Sequence, residues 1–204
     1  MRAAGEAVFL KKAVCLGLAL CCLLLCACGG TGHRCKEEFL RLRSGFLGEE
    51  TARIRAAVRA DYGERIYDFV LNYEGGEASG LLTVEEPAEI GGVEVLLEKD
   101  GVTLRCGEAL LDTGAILQGL SPLEAFPLLL RAWRSGCVTD CWHETWDGEA
   151  CLTAQFDLTA AGEEDETLCR TRFRLPEGQP VNAEFTCAGR TVLSCTFLSP
   201  EGEG

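Results

Sequence analysis

Histidine is scarce in this sequence: His33 and His143 are the only two in 204 residues. The motifs of hydrolytic and phosphate chemistry are missing as well, because there is no Gly-x-Ser-x-Gly elbow, no phosphate-binding loop and no His-Glu-x-x-His motif. Clustered carboxylates such as Glu85-Glu86 fall in segments expected to be loops, where solvation explains them better than general acid catalysis. We therefore predict no catalytic residue and expect that the chain is not an enzyme.

Positively charged residues are also few. The chain has 19 Lys and Arg against 32 Asp and Glu, which gives a net charge of −13. Nucleic acid and an anionic membrane surface both repel a strongly acidic protein, so we expect neither as a partner.

One group of potential metal ligands lies in the C-terminal half. Cys137-x₃-Cys141-x-His143 contains three ligand side chains, and alternation along a strand would put Cys141 and His143 on one face. A fourth ligand is missing, however, and the spacing differs from that of structural zinc sites. We predict no metal and no other cofactor, with His143 a surface histidine beside small cysteines.

What the sequence does contain is a targeting segment at its N-terminus. Three basic residues lie among the first twelve, and residues 13–27 are fifteen uncharged residues rich in Leu, Ala and Cys. The run ends in Leu25-Cys26-Ala27-Cys28, which resembles the bacterial lipobox. Residues 1–27 are therefore predicted to be removed as a signal peptide, and Cys28 to carry a diacylglyceryl group.

Such an anchor would place the mature chain on the extracytoplasmic face of the cytoplasmic membrane. Two acyl chains hold a protein at a bilayer stably, whereas one holds it marginally. Residues 28–32 would form a lipidated tether, and residues 33–200 one domain. The alternatives are an uncleaved transmembrane helix over residues 13–30, just long enough to span a bilayer, and ordinary secretion.

Eight cysteines remain in the mature chain besides Cys28. An even number in an exported protein is typical of a disulfide framework. Several of them, however, alternate with apolar residues along predicted strands, where a free thiol behaves as a small hydrophobic group. We expect most to be reduced, the alternative being one or two bridges whose pairing the sequence does not reveal. The eight are Cys35, Cys106, Cys137, Cys141, Cys151, Cys169, Cys187 and Cys195.

Alternation of apolar and polar residues predicts a chain made mostly of β-strands. The first alternating segment, residues 51–60, suits a helix equally well because of its Ala and Arg content. Clearer alternation follows at residues 67–73, and a third strand is expected at about 77–84. Five further strands are predicted at about 138–146, 150–158, 167–175, 181–187 and 191–198.

Three of these patterns give specific expectations. Asp100-Gly101 between alternating apolar residues is a strong signal for a two-residue turn, which would pair Leu97 with Leu104 and Val95 with Cys106. In the strand at 167–175, every second residue from 170 to 174 is arginine, which indicates a solvated basic row facing away from the core.

The third pattern concerns the turn between the strands at 138–146 and 150–158. A three-residue loop ending at Gly148 would keep Trp142 on the same face as Leu152 and Phe156, whereas a two-residue loop would turn it to the opposite face. We expect the three-residue loop.

Two helices are expected among the strands. A short one covers about residues 33–47. The clearer one begins with Ser121-Pro122-Leu123-Glu124, a capping box with proline at the first helical position, and Gly136 is its expected end. Pro127 should kink its first turn. Since this helix is apolar nearly all round until Arg131, we expect the sheet to wrap it rather than merely to contact one side.

The elements together predict an α+β fold, a single curved antiparallel sheet of about 9–11 strands wrapped around a central helix, with a short N-terminal helix. Three segments of the sequence carry a resemblance to known proteins, and they are Tyr67-Asp68-Phe69, the helix start at residues 120–129 and the lipobox. In these segments and in the order of its elements, the mature chain resembles the LolA/LolB-like superfamily of half-barrel lipoprotein carriers. It is similar above all to lipid-anchored members from spore-forming Firmicutes, the clostridial germination lipoproteins.

The resemblance implies two roles. Carriers of this superfamily hold acyl chains in a cavity between sheet and helix, while the germination lipoproteins are implied to bind a cell-wall amidase. We expect a scaffold or chaperone for an envelope or spore-wall protein, the alternative being a carrier of lipid or another hydrophobic ligand. The candidate cavity-lining residues, which could equally fill a closed core, are Tyr67, Phe69, Phe126, Leu130, Trp133, Trp142 and Phe156.

Overall fold

The computed structural model describes residues 30–47, 50–99, 101–114, 120–159 and 165–199. The predicted signal peptide and the predicted lipidation site Cys28 lie outside these residues. Within them, helix α1 covers Gly30–Leu47 and helix α2 covers Ala125–Ser135, and a single 3₁₀ turn lies at Ala88–Ile90. The strands are β1 Ala52–Asp61, β2 Ile66–Gly75, β3 Gly80–Glu86, β4 Glu94–Glu98, β5 Gly101–Cys106, β6 Ala109–Gly114, β7 Cys137–Trp146, β8 Glu149–Asp157, β9 Thr167–Arg174, β10 Gln179–Cys187 and β11 Arg190–Phe197.

The strands form one large, open antiparallel sheet in the order β6-β5-β4-β3-β2-β1-β11-β10-β9-β8-β7. The first and last strands meet at its centre, where Val58 of β1 lies opposite Cys195 of β11. Both helices pack on one face, since Phe39 of α1 and Trp133 of α2 each contact Phe173 of β9. We call this the helix face and the opposite side the outer face.

The composition of residues 51–60 suits a helix and a strand equally, and the burial pattern in the structure shows that they form a strand. Ile54, Ala56, Val58 and Ala60 are buried and point to the helix face. The strand is paired on both sides, with β2 along its whole length and with β11 at residues 56–60. A strand therefore satisfies the backbone groups of this buried segment, as burial requires.

Helix α2 starts three residues later than predicted, at Ala125 rather than at Pro122. Half of the expected capping box is present, because the Ser121 N–H donates to Glu124 Oε2 at 3.3 Å. Pro127 lies in the first turn, where an N–H would have no intrahelical acceptor, so the helix tolerates it there. Gly136 ends the helix as predicted, and a side chain there would place a Cβ 2.6 Å from the carbonyl oxygen of Ala132.

Helix α1 begins at Gly30, so residues 30–32 of the expected tether belong to the helix. A disulfide between Cys35 and Cys141 joins it to β7, with the two Cα atoms 5.6 Å apart. This single bridge corresponds to the alternative of one or two bridges, while six of the eight cysteines are unbridged. The free ones are Cys106, Cys137, Cys151, Cys169, Cys187 and Cys195.

The β4–β5 hairpin exists, but its predicted register is wrong by two residues. Leu97 lies opposite Val102, and Val95 lies opposite Leu104. Both registers put the same apolar side chains on one face, because a shift of two residues preserves alternation. The pattern alone could not choose between them.

The predicted three-residue loop between β7 and β8 is also wrong. The turn contains two residues, Asp147 and Gly148, both with positive φ (51° and 80°). Two such residues suit the hairpin turn whose twist matches that of the flanking strands. Trp142 consequently lies opposite Thr153 and points to the outer face, away from Phe156.

Strand β6 was not predicted from the sequence. It pairs with β5 after a tight turn at Gly107, where φ is 59°. The third strand, β3, begins at Gly80 rather than at about residue 77. The described part of the chain thus has 11 strands, the upper end of the expected range of about 9–11.

Candidate binding surfaces

Four of the seven predicted lining residues lie in a closed core on the helix face. Phe126, Leu130, Trp133 and Phe156 are each at most 2% exposed. The aromatic rings among them contact neighbouring rings at centroid distances of 5.3 to 5.9 Å. The indole N–H of Trp133 donates to Thr171 Oγ1 at 3.0 Å, so this buried N–H has a hydrogen-bond acceptor. Side chains therefore fill the space around these four residues.

Tyr67 and Phe69 lie on the same face but outside that core, at the start of β2. Tyr67 is 42% exposed and Phe69 is partly buried. Their rings stack with centroids 6.3 Å apart, and the ring centroids of Tyr62 and Tyr67 are 6.4 Å apart. The Tyr62 hydroxyl donates to the carbonyl of Leu120 at 3.4 Å, which ties this exposed aromatic group to the segment before α2.

Trp142, the seventh predicted lining residue, belongs to the outer face. The guanidinium of Arg170 lies over its ring at 5.2 Å from the centroid, and that of Arg172 lies over Trp146 at 3.9 Å. The expected arginine row is therefore present on the outer face, but each cation has an aromatic or acidic neighbour.

Arg172 corrects the expectation that this row is solvated throughout. Its side chain is 6% exposed, and it donates to Glu144 Oε1 at 2.8 Å and to Asn182 Oδ1 at 2.5 Å. Hydrogen bonds from Arg172 and Thr153 lower the pKa of Glu144, outweighing the desolvation that would raise it. A satisfied polar network thus closes this part of the outer face.

The possible ligands Cys141 and His143 make other contacts. Cys141 is bridged to Cys35, and His143 Nε2 lies 3.0 Å from Glu38 Oε2 on α1. Among the residues that the structure describes, no group of three or more His, Cys, Asp or Glu side chains is placed to hold a metal ion. The other histidine, His33, belongs to α1, but its side chain is not among those described.

Two of the buried thiols are poor candidates for nucleophiles. Burial raises the pKa of Cys169 to about 12, and it also raises the pKa of Cys195. Because the thiolate is the reactive form, both groups are protonated and unreactive near neutral pH.

A third surface, which the sequence analysis missed, lies at the β6 edge of the sheet. Leu110 and Leu111 of β6 are 69% and 61% exposed, and they point to opposite faces. On the outer face, Leu110 joins the exposed Leu81 and Leu96 around a groove of about 280 Å³. The Arg105–Glu94 ion pair and Thr103 complete the groove. We call Leu81, Leu96, Leu110 and Leu111 the leucine edge.

A sequence signal for the leucine edge does exist. Leu81-Leu82, Leu96-Leu97 and Leu110-Leu111 are three leucine pairs, one in each of β3, β4 and β6. Because successive side chains of a strand point to opposite faces, one leucine of each pair must face outward. Alternation placed Leu97 on the core face, but β6 was not predicted and the outward leucines were left unexplained.

No helix within the described residues combines the length and the apolar character required to cross a membrane.

Comparison with known proteins gives no match to a protein-family model and no match to a curated protein. Several solved structures are similar, and their shared features lie in the fold. LprF from Mycobacterium bovis has a TM-score of 0.45 and 11% identity, over 83% of this chain and 94% of that one. A LolA superfamily protein from Nitrosomonas europaea has a TM-score of 0.39 and 13% identity, over 73% and 74%. The structure of the CwlD amidase in complex with the GerS lipoprotein from Clostridioides difficile gives a TM-score of 0.38 and 11% identity. The match covers 82% of this chain and 95% of that one.

The structural neighbours are LolA-superfamily and lipoprotein-like proteins. One of them is described as a protein of the LolA superfamily, which the sequence segments also resemble. At 10 to 14% identity, none of them assigns a role to a residue of this chain.

Proposed function

We propose that this chain is a lipid-anchored, non-enzymatic protein of the extracytoplasmic membrane face that binds another envelope protein. In this proposal, Cys28 carries the anchor, and the sheet curves as a half-barrel around α2. The observation that carries the proposal is the leucine edge. A soluble surface rarely exposes adjacent large apolar side chains on both faces of one strand.

The position of the leucine edge favours a protein as its occupant. β6 lies at the end of the strand order, so the described strands leave one side of its backbone without a sheet partner. Such an edge can accept a further strand, with main-chain hydrogen bonds providing affinity and side-chain grooves providing specificity. The groove lined by Leu81, Leu96 and Leu110 has room for one large apolar side chain of the added strand.

Charge narrows the kind of partner. The chain has a net charge of −13, which disfavours association with another strongly acidic protein. A partner with a basic surface beside an apolar strand would be steered toward this chain. A cell-wall amidase is the class of partner implied by the sequence resemblance, and it is the first to test.

The experiment uses the full-length chain, tagged at its C-terminus and crosslinked in cells before membranes are solubilised. We expect one partner at about a 1:1 ratio. Leu110→Ser/Leu111→Ser should reduce its recovery at least tenfold. Leu47→Ser is the matched control, because Leu47 is 62% exposed but lies on α1. The proposal fails if no stoichiometric partner is recovered, or if the double variant, shown to be folded by circular dichroism, recovers as much as the control.

One observation favours the alternative, a carrier of a hydrophobic ligand. Tyr62, Tyr67 and Phe69 form an exposed aromatic group on the helix face, where an acyl chain could enter. Native mass spectrometry of protein purified from membranes should then show a bound mass that Tyr67→Ser removes. Detection of bare protein alone would reject this alternative.

A further inference from the structure

A second cavity lies where the central strands β1 and β11 stop pairing, away from the leucine edge. It has a volume of about 560 Å³, within the range of small-molecule sites. It arises where the central pairing of the sheet stops. β11 ends at Phe197, opposite Ala56, so residues 52–55 of β1 extend beyond it. The chain then continues through Leu198, whose N–H donates to the carbonyl of Arg55 at 2.8 Å.

The charged lining of this cleft is opposite in sign to the chain as a whole. Arg53, Arg55 and Arg174 line it, whereas Glu85 is the one carboxylate among its described lining residues. Arg55 and Glu85 form an ion pair of 2.8 Å at the half-buried base, with side chains 24% and 30% exposed. A cleft with low-dielectric walls concentrates the potential of such groups on a bound anion.

The carboxylates that pair with the other two arginines lie outside the cleft. Arg53 contacts Glu74, and both side chains are more than half exposed. Arg174 contacts Glu149, with side chains 42% and 51% exposed. Exposed ion pairs of this kind are weak in water, and a guanidinium has five N–H donors to share. A ligand anion can therefore bind beside these carboxylates.

Five of the eight other lining residues are apolar, and they are Val181, Pro180, Leu198, Phe197 and Ile54. Ile54 and Phe197 also border the core of the helix face. At roughly 30 Å³ per small group, the volume accommodates roughly 15–20 non-hydrogen atoms. We propose that this cleft binds an anionic amphiphile, with a phosphate or carboxylate head at Arg53, Arg55 and Arg174 and a short apolar chain against these apolar residues.

The test uses the full-length chain in phosphatidylcholine nanodiscs, with empty nanodiscs as the reference, and measures binding by isothermal titration calorimetry. Octyl phosphate and octanoate are the anionic probes, and each distinguishes one possible head group. Inorganic phosphate tests the need for the apolar chain, and octyltrimethylammonium tests the sign of the charge. We expect one site per chain for at least one anionic probe, affinity at least tenfold lower for inorganic phosphate, and no binding of the cation.

Variants connect this binding to the cleft. Arg55→Gln and Arg174→Gln should each lower the affinity by about tenfold or more, because each removes charge-assisted hydrogen bonds. Arg59→Gln is the control. Arg59 lies on the same face of β1 and also pairs with a carboxylate, that of Asp68, but it does not line the cleft.

Ser199→Glu provides a check that leaves the Arg55–Glu85 pair intact. It adds a negative charge to the cleft lining and should also weaken binding at least tenfold. The proposal is overturned if neither anionic probe binds, if the cation binds equally well, or if Ser199→Glu and the two arginine variants bind as Arg59→Gln does. These outcomes do not depend on whether the leucine edge binds a partner.

Discussion

Tyr73 is a single side chain that links a turn to the core. Its ring is fully buried and stacks on Phe126 at a centroid distance of 5.6 Å. Its hydroxyl lies 2.6 Å from the carbonyl oxygen of Gly76 and 3.2 Å from that of Ser79, so it donates within the β2–β3 turn. At Gly80, a Cβ would lie 2.4 Å from the same hydroxyl. The turn therefore needs both the phenol and a glycine beside it.

The first prediction concerns this hydroxyl. Tyr73→Phe keeps the ring stack but removes the hydroxyl that donates to the turn carbonyl of Gly76, and it should lower the free energy of unfolding by about 1–2 kcal/mol near neutral pH. Tyr62→Phe, which removes an exposed hydroxyl, should change it little. Urea unfolding measures both variants.

The difference in unfolding free energy between the wild type and Tyr73→Phe should also depend on pH. Burial raises the pKa of Tyr73 to about 12, whereas an unfolded tyrosine titrates near about 10. Between these values the native state binds more protons than the unfolded state, so the stability that Tyr73 contributes falls as pH rises from about 10 to 12. The wild type should thus lose its advantage over Tyr73→Phe across this range. An advantage that stays constant up to pH 12 would contradict this assignment.

At the scale of elements, the two helices satisfy one another's C-terminal carbonyl groups. Arg43 of α1 donates to the carbonyls of Trp133 and Gly136, at 2.8 and 2.6 Å. In return, Arg134 of α2 donates to the carbonyl of Phe46 at 3.0 Å. The last carbonyls of a helix lack intrahelical partners and carry partial negative charge, so an arginine suits each end.

The second prediction is that Arg43→Met destabilises the fold by about 2–3 kcal/mol, because hydrogen bonds from a charged group to partly buried carbonyls are lost. Arg43→Lys should recover part of the loss, since one donor can still reach. Arg41→Met, two residues earlier at an exposed position of α1, should change the unfolding free energy by less than about 0.5 kcal/mol. Equal effects at residues 41 and 43 would show that the contacts to α2 do not matter.

The third prediction concerns the disulfide that attaches α1 to β7. Cys35 and Cys141 are separated by 106 residues, so the bridge closes a long loop in the unfolded chain. Its loss should lower the free energy of unfolding by about 2–4 kcal/mol. A reducing agent should destabilise the wild type by this amount and leave Cys35→Ala/Cys141→Ala unchanged. Cys106→Ala, which removes an exposed free thiol, should still respond to reduction as the wild type does.

At the scale of the whole molecule, the sheet brings the first and last strands together. β1 and β11 are neighbours, whereas the residues between them in sequence extend to the two edges. α1 begins at Gly30, directly after the predicted lipidation site. A lipid on Cys28 would therefore hold the folded domain close to the bilayer, with little free chain between them.

The fourth prediction separates anchoring from folding. Cys28→Ala should move the protein from the membrane fraction to the soluble fraction, while the unfolding of the domain stays unchanged. Cys26→Ala should remain with membranes, since alanine is common at that position of the lipobox. Fractionation of cell lysates measures both variants, and a Cys28→Ala protein that stays with membranes would refute the lipid anchor.

The sequence by itself determined the local structure. Alternation located most strands, including β7 to β11 within about two residues, because a half-buried strand must alternate side chains between two environments. Gly136 marked the end of α2, and the scarcity of reactive groups indicated a role other than catalysis. Residues 51–60 stayed ambiguous because Ala and Arg suit helix and strand equally.

Only the tertiary structure decided which distant segments contact one another and in which register. Alternation fixes a face but not a register, so the pairing of Leu97 with Val102 and the outward position of Trp142 came from turn geometry. The Cys35–Cys141 bridge, the burial of Arg172 and the exposure of Leu110 each depend on which strands become neighbours or edges. The order β6 to β7 with β1 beside β11 sets these neighbours, and it follows from contacts between residues far apart in sequence that no local pattern records.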